Sequence, residues 1–238
     1  MKKIISMVVA VLMCATVLAA CGNDVVYSGT TEKTNNSSQS EEKKMTYEAK
    51  PTDALLNIDD IKLAEDVNVD DDYATRDPEK GETVAIIHTN MGDISMRFYD
   101  EIAPLATNNF IALAEAGRFD KTIFHRVISN FMIQGGDYTN FNGTGGASAY
   151  GEEFPFEFSE YATNIRGSVA MAHAQVGENG SQFYINQVDN NYLDGGYTVF
   201  GWVYEGMDVV DAIAGVQTNG SDKPLEDVII EYVEILEY

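Results

Sequence analysis

A mainly β fold, a closed antiparallel barrel carrying two helices, is what the last two thirds of this 238-residue chain predict. Three observations predict it. Short segments rich in Val, Ile, Phe and Tyr recur from Thr83 onward, glycine-rich connections separate them, and only two stretches carry a helical period. Closing such strands into a barrel also removes exposed edges.

The elements follow in order. Thr83 to Thr89 is rich in β-branched residues and reads as a strand. Asn90-Met91-Gly92-Asp93 is a turn, and Ile94 to Tyr99 alternates as the returning strand. Pro104 opens a helix predicted to reach about Ala116, with Gly117 as its stop and Thr107, Phe110, Ile111, Leu113 and Ala114 on its inner face. Further strands are predicted at Phe124–Ile128, Met132–Gln134, Ser168–Met171, Gln182–Asn186 and Val199–Tyr204. A second helix is predicted from Met207 to Ala214, and a last strand, alternating acid and apolar, from Val228 to Leu236. Residues 82–238 are assigned to this domain.

Upstream the composition changes twice. Met1-Lys2-Lys3 is a short positive start, and Ile4 to Ala20 is apolar apart from Ser6, Cys14 and Thr16. Leu18-Ala19-Ala20-Cys21 then resembles a bacterial lipobox. That resemblance implies a signal peptide over residues 1–20 and a diacylglyceryl group on the thiol of Cys21, anchoring the chain to the outer face of a cell membrane. Residues 21–50 are rich in Ser, Thr, Asn, Glu and Lys and read as a disordered tether. Residues 51–81 scatter Leu55, Leu56, Ile58, Ile61, Leu63, Val67 and Val69 among acids. The pattern leaves open whether they form a short element on the domain surface, stay mobile, or fold over a groove as a lid. Asp70-Asp71-Asp72 lacks the interleaving and the glycine of a calcium loop.

The formal net charge is −23, and removal of residues 1–20 with Lys2 and Lys3 takes it to −25. Such acidity excludes the basic footprint that nucleic acid requires. Cys14 and Cys21 are the two cysteines, so the predicted domain has neither a disulfide nor a thiolate ligand. His88, His125 and His173 lack metal-ligand spacing, and no G-x-S-x-G elbow is present. GTGG at Gly143–Gly146 lacks the Lys-Ser/Thr of a P-loop, and its glycines read as tight turns. Neither a metal nor a cofactor is expected.

Phe124 to Asp137, FHRVISNFMIQGGD, places the cation Arg126 near the large apolar Phe131 and Met132, with the amide Gln134 following. At strand spacing this can line an apolar pocket with a guanidinium at its rim, suited to a neutral substrate with a carbonyl to grip. His125 should point to the opposite strand face from Arg126. Together with GTGGASAYGEE from Gly143, VAMAHAQVGENGSQFYIN from Val169 and YLDGGYTVF from Tyr192, the stretch resembles the cyclophilins, the peptidyl-prolyl cis-trans isomerases. The likeness runs in order from about Thr83 to Val233.

The resemblance implies an eight-stranded barrel capped by two helices, with a proline-binding groove on its outside. It implies Arg126, Gln134 and Phe131 as catalytic residues, and Met132, Ala172, His173, Gln182, Tyr184, Tyr192, Leu193 and Tyr197 as substrate-binding ones. Tyr184 stands where Phe is commoner, and its hydroxyl needs a partner or water. Tyr192 stands where eukaryotic members usually carry the Trp that binds cyclosporin, so tight cyclosporin binding is not implied. Trp202 is expected to pack away from the groove. The expected partners are proline-containing unfolded or secreted polypeptides, met by a monomer. A peptide-binding or adhesion module with incidental isomerase activity is the alternative reading.

Overall fold

The first hairpin follows from alternation. Thr83–Thr89 (β1) pairs antiparallel with Gly92–Phe98 (β2), from Val84 opposite Arg97 to Thr89 opposite Gly92. Gly92 sits at φ 132°, and a Cβ there would meet Val209 Cγ2 at 2.8 Å, so the turn needs glycine for its backbone and for its neighbour. The computed structural model describes residues 54–63, 69–70, 72–173 and 179–238. The signal peptide, the lipidation site Cys21 and the tether lie outside the described residues.

Pro104–Glu115 (α1) starts with Pro at its first turn but has no side-chain cap of its own. Glu157 supplies it from a distant loop: Leu105 N–H donates to Oε1 and Ala106 N–H to Oε2, each at 2.9 Å. The buried face of α1 presents Phe110, whose ring packs within 4.9–5.8 Å of Phe98, Phe119, Phe183 and Phe200. Next come Thr122–Ile123 (β3), Arg126–Ile128 (β4), Met132–Gly135 (β5), Ser168–Met171 (β6), Phe183–Asn186 (β7) and Val199–Glu205 (β8). Met207–Ala214 (α2) and Ile229–Glu237 (β9) close the order.

The sheet runs β3-β9-β1-β2-β8-β6-β7-β5-β4, and every pairing is antiparallel. Its two end strands, β3 and β4, are separated in the chain by only Phe124 and His125, so the sheet must curl round on itself. This corrects the expected closed eight-stranded barrel: the described sheet has nine strands and no ladder joins β3 to β4. The reason lies at the seam. Phe124 N–H donates to the Val228 carbonyl at 2.9 Å and Val127 N–H to the Asp222 carbonyl at 2.8 Å, so the segment leading into β9 takes the bonds a closing ladder would use. The same diversion shortens the strand expected over Phe124–Ile128 to β4, Arg126–Ile128, and β3 is a two-residue strand before it that the sequence did not predict.

Side-chain alternation gives the curled sheet two faces. Val127, Ile133, Val169 and Ile185 turn into the main core. Arg126, Gln134, Tyr184 and Ala170 stand in register across β4, β5, β7 and β6, one residue out of phase with that core row. Met132, Tyr184, Ala170 and Val199 form a second, smaller apolar cluster on that side.

Packing begins upstream of Glu82. The N–H groups of Leu55 and Leu56 donate to the Ala149 carbonyl, a one-turn 3-10 helix spans Ile58–Asp60, and Leu56, Ile58 and Ile61 lie against the main core. Farther on, the guanidinium of Arg97, 1% exposed, lies 4.6 Å from the ring centroid of Tyr73 and 5.4 Å from that of Tyr99. It also donates to the Tyr73 carbonyl. The lead-in thus carries a surface element and a buried tyrosine.

Candidate active site

Arg126, Gln134 and Tyr184 of the cross-strand row form the floor of a groove, with Ala170 buried at the end of the row. Arg126, Phe131, Met132, Gln134, Ala172, His173, Tyr184, Leu193 and Tyr197 line one cavity of about 100 Å³. Pockets that enclose a whole drug-sized ligand run to roughly 300–1,000 Å³, so this one accepts a single small side chain. Phe131 and Met132 come from the Asn130 turn and β5, Tyr184 from β7, and Leu193 from a 3-10 turn at Asn191–Leu193. The Asn130 turn is held at φ 59° by Asn130 N–H donating to Gln187 Oε1 at 2.6 Å and by Asn190 Nδ2 donating to the Phe131 carbonyl at 3.1 Å.

Gln182 lines an adjoining cavity of about 410 Å³, shared with Arg126, Gln134, Ala172, His173 and the glycine-rich loop. Tyr192 lines neither. It is 73% exposed, and its ring stacks on Phe131 at 6.3 Å. None of the described lead-in residues lines either cavity, which leaves the lid idea without a contact in the groove. Trp202 lies outside both cavities and donates from Nε1 to the Arg166 carbonyl at 3.3 Å.

An amide relay sets the polar edge. Gln134 Nε2 donates to Gln182 Oε1 at 3.0 Å, and Gln182 Nε2 donates to the carbonyls of Gly143 at 3.0 Å and Gly145 at 2.8 Å. That loop hangs on one buried carboxylate. Asp137 Oδ2 accepts the N–H groups of Asn142, Gly143 and Gly145, and Oδ1 accepts those of Thr139 and Asn140. Burial works against its charge, but the backbone N–H bonds outweigh it and hold the Asp137 carboxyl below the usual range. Gly143 and Gly146 have positive φ, as tight turns require. A Cβ at Gly143 would meet the His125 ring at 2.8 Å. His125 is 6% exposed with its ring against this loop, and burial pushes its imidazole down toward the neutral form.

The Tyr184 hydroxyl finds its partner away from the cavity. It donates to Asn164 Oδ1 at 2.6 Å, in a buried set where Asn186 Nδ2 donates to the same oxygen at 3.2 Å and Asn164 Nδ2 donates to Asp194 Oδ1 at 3.0 Å. Burial raises the phenol well above its ordinary value, so it stays neutral. The ring therefore offers the cavity an apolar face, and the network ties the floor to the Leu193-Asp194 turn. Asn164, Asp137 and Asp222 are the neighbours that sequence reasoning passed over. Asp137 stood inside the quoted motif without a role, whereas Asn164 and Asp222 carry no local signal.

Arg126 keeps 43% of its side chain exposed, and among the described residues no hydrogen bond engages its Nη1 or Nη2. A free guanidinium edge beside a ring-sized apolar cavity can donate to a carbonyl or an amide nitrogen held in place.

Comparison with known proteins agrees with this geometry. The sequence model of the family described as cyclophilin type peptidyl-prolyl cis-trans isomerase/CLD matches residues 84–235. A Staphylococcus saprophyticus protein provisionally named a peptidyl-prolyl cis-trans isomerase is 40% identical over 180 residues, covering 64% of this chain and 91% of that protein. Peptidyl-prolyl cis-trans isomerase 9 of Schizosaccharomyces pombe is 46% identical over 153 residues, which is 64% of this chain but 25% of that longer protein. A crystal structure of a cyclophilin type peptidyl-prolyl cis-trans isomerase of Cryptosporidium parvum, obtained in the presence of the dipeptide Ala-Pro, superposes with a TM-score of 0.63 at 35% identity. It covers 65% of this chain and 99% of that one. With the match spanning well over half of its length, this chain belongs to the cyclophilin-type peptidyl-prolyl cis-trans isomerases.

Proposed function

We propose that the chain is a lipid-anchored, extracytoplasmic prolyl isomerase that turns X–Pro bonds in unfolded or secreted polypeptides. The observation that carries the catalytic part is the placement of Arg126 beside a cavity of ring size walled by Phe131, Met132, Tyr184 and Leu193. Rotation about an X–Pro bond meets a barrier near 18–20 kcal/mol from amide resonance. The reaction needs neither a nucleophile nor a proton relay, only better binding of the twisted amide than of the planar one. At the top of the barrier the proline nitrogen is pyramidal and regains its lone pair. Arg126 donates a hydrogen bond to that nitrogen or to the prolyl carbonyl, while the apolar walls hold the pyrrolidine ring still. Gln134, fixed by Gln182, hydrogen-bonds the peptide and orients Arg126. An acceleration of ~10⁵ requires about 7 kcal/mol of such discrimination.

Arg126→Ala should lower kcat/KM on a proline tetrapeptide by at least about a hundredfold with an unchanged circular dichroism spectrum. Unchanged turnover would overturn this assignment. The location rests on Lys2-Lys3, the apolar run to Ala20 and Leu18-Ala19-Ala20-Cys21. Cys21→Ala should move the protein out of the membrane fraction; a variant still membrane-bound with an uncut N-terminus would sink the anchor. The partners in this reading are proline-containing chains and, through the lipid, the membrane; the protein acts as a monomer without nucleic acid.

A further inference from the structure

Aromatic rings follow one another from the floor of the prolyl cavity to open surface. Tyr184 meets Tyr197 edge-on with centroids 5.7 Å apart, and Tyr197 stacks on His173 at 4.4 Å. His173 lies 4.7 Å from Phe156, and Phe156 meets Phe158 edge-on at 5.5 Å. The first three rings line the cavity, whereas Phe156 and Phe158 line neither cavity. Exposure rises along the row, from buried Tyr184 through half-buried Phe156 to Phe158 at 53%.

The outer rings are not core. Among the described residues, Phe156 and Phe158 belong to neither buried apolar cluster. Between them, Glu157 is turned inward: both carboxylate oxygens cap α1, and its N–H donates to Thr198 Oγ1 at 2.9 Å. That fastening leaves the two flanking phenylalanines on the outer side. The middle ring is also fixed. His173 Nε2 lies 3.0 Å from the Gly196 carbonyl, which can only accept, so Nε2 carries the proton of that bond. The row is thus a rail of aromatic rings whose middle member is fixed by the His173–Gly196 bond.

We propose that this rail is an extended substrate subsite that takes an aromatic side chain of the polypeptide whose proline occupies the cavity; it rests on the isomerase reading above. Continuity with the cavity makes the same polypeptide the occupant. Rigid aromatic surface binds at low ordering cost and pairs favourably with another ring. From His173 at the cavity the centroid steps are 4.7 Å to Phe156 and 5.5 Å more to Phe158, so at about 3.3 Å of rise per extended residue the outer end of the rail meets a side chain about three residues from the proline.

The test compares two proline peptides on the full chain, with Phe or Ala three residues from the proline, the Phe placed on each side in turn. Wild type should favour the Phe peptide in one of the two arrangements by about three- to tenfold in kcat/KM, mostly through KM. Phe158→Ser and, separately, Phe156→Leu should bring that ratio to about one. Equal rates on both peptides by wild type, or a preference that survives both substitutions, would overturn the subsite while leaving the isomerase standing. Absence of turnover on either peptide would overturn the isomerase reading and the subsite with it. Self-association of wild type in sedimentation, lost in Phe158→Ser, would assign the rings to a second copy and also overturn the proposal.

Discussion

Asp222 Oδ2 lies 3.5 Å from Nε of Arg126. Asp222 holds a left-handed backbone at φ 62°, and its carbonyl accepts the N–H of Val127, the residue after Arg126. The loop tip is therefore fastened to the strand that carries the guanidinium, and its carboxylate meets the arginine from the side opposite the terminal nitrogens. The two side chains are 44% and 43% exposed. An exposed pair of this kind is worth about 0–1 kcal/mol.

Asp222→Asn should accordingly loosen Arg126 and lower turnover by no more than about fivefold, mainly in kcat. Because salt screens exposed pairs, the wild-type rate should approach that of the variant as ionic strength rises, while the variant changes little. Steady-state rates on one peptide across a salt series check this.

Tyr184→Phe removes the hydroxyl that meets Asn164 Oδ1 at 2.6 Å. Asn164 Oδ1 keeps its bond from Asn186, so the loss should be about 1 kcal/mol. Chemical denaturation reads it as a lower midpoint with an unchanged slope.

Asp137→Asn exchanges an acceptor of five backbone N–H groups for an amide with one acceptor oxygen. The cost should reach about 3 kcal/mol. Turnover should fall as well, because Gly143 and Gly145 orient Gln182 and through it Gln134. The carboxyl is held below its ordinary 3.8. Its stabilisation is therefore present above that pH and is lost as pH falls through the lower folded value. Acid unfolding should be shallower in the variant.

Glu157 titrates in the opposite sense. Burial pushes its carboxyl from the ordinary 4.5 up to about 7, against the two helix N–H groups it accepts. The folded protein binds this proton more tightly than the unfolded chain does. Its contribution is full below pH 4.5 and is lost as pH rises through about 7. Glu157→Gln cannot titrate, so it should flatten the decline in thermal midpoint between those two pH values.

Much of this was legible in the chain. Arg126 and Gln134 stand out because strand alternation puts both on one face, and the in-register pairing places them side by side. Helix α2 matches its expected span from Met207 to Ala214, where a helical period meets Gly206 and Gly215. Less was legible where distant segments meet. Asp222 reaches Arg126 only because the approach to β9 takes the seam's hydrogen bonds, which no periodicity records. Phe156 and Phe158 flank an acid in a stretch without regular structure, so their spacing carried no period to read. Tyr73 was hidden in an acidic run, since its burial depends on Arg97 from β2.

That contact between Arg97 and Tyr73 also bears on how far the groove could work from the proposed anchor. Leu55, Leu56 and Tyr73 are packed on the domain, so the described packing begins near Ala54, well before Glu82. If Cys21 holds the lipid as proposed, even a fully stretched link to Ala54 reaches roughly 110 Å, where a link to Glu82 would reach about 200 Å. On that proposal the working radius of the isomerase above a bilayer would be cut nearly in half, toward chains that have only just crossed it.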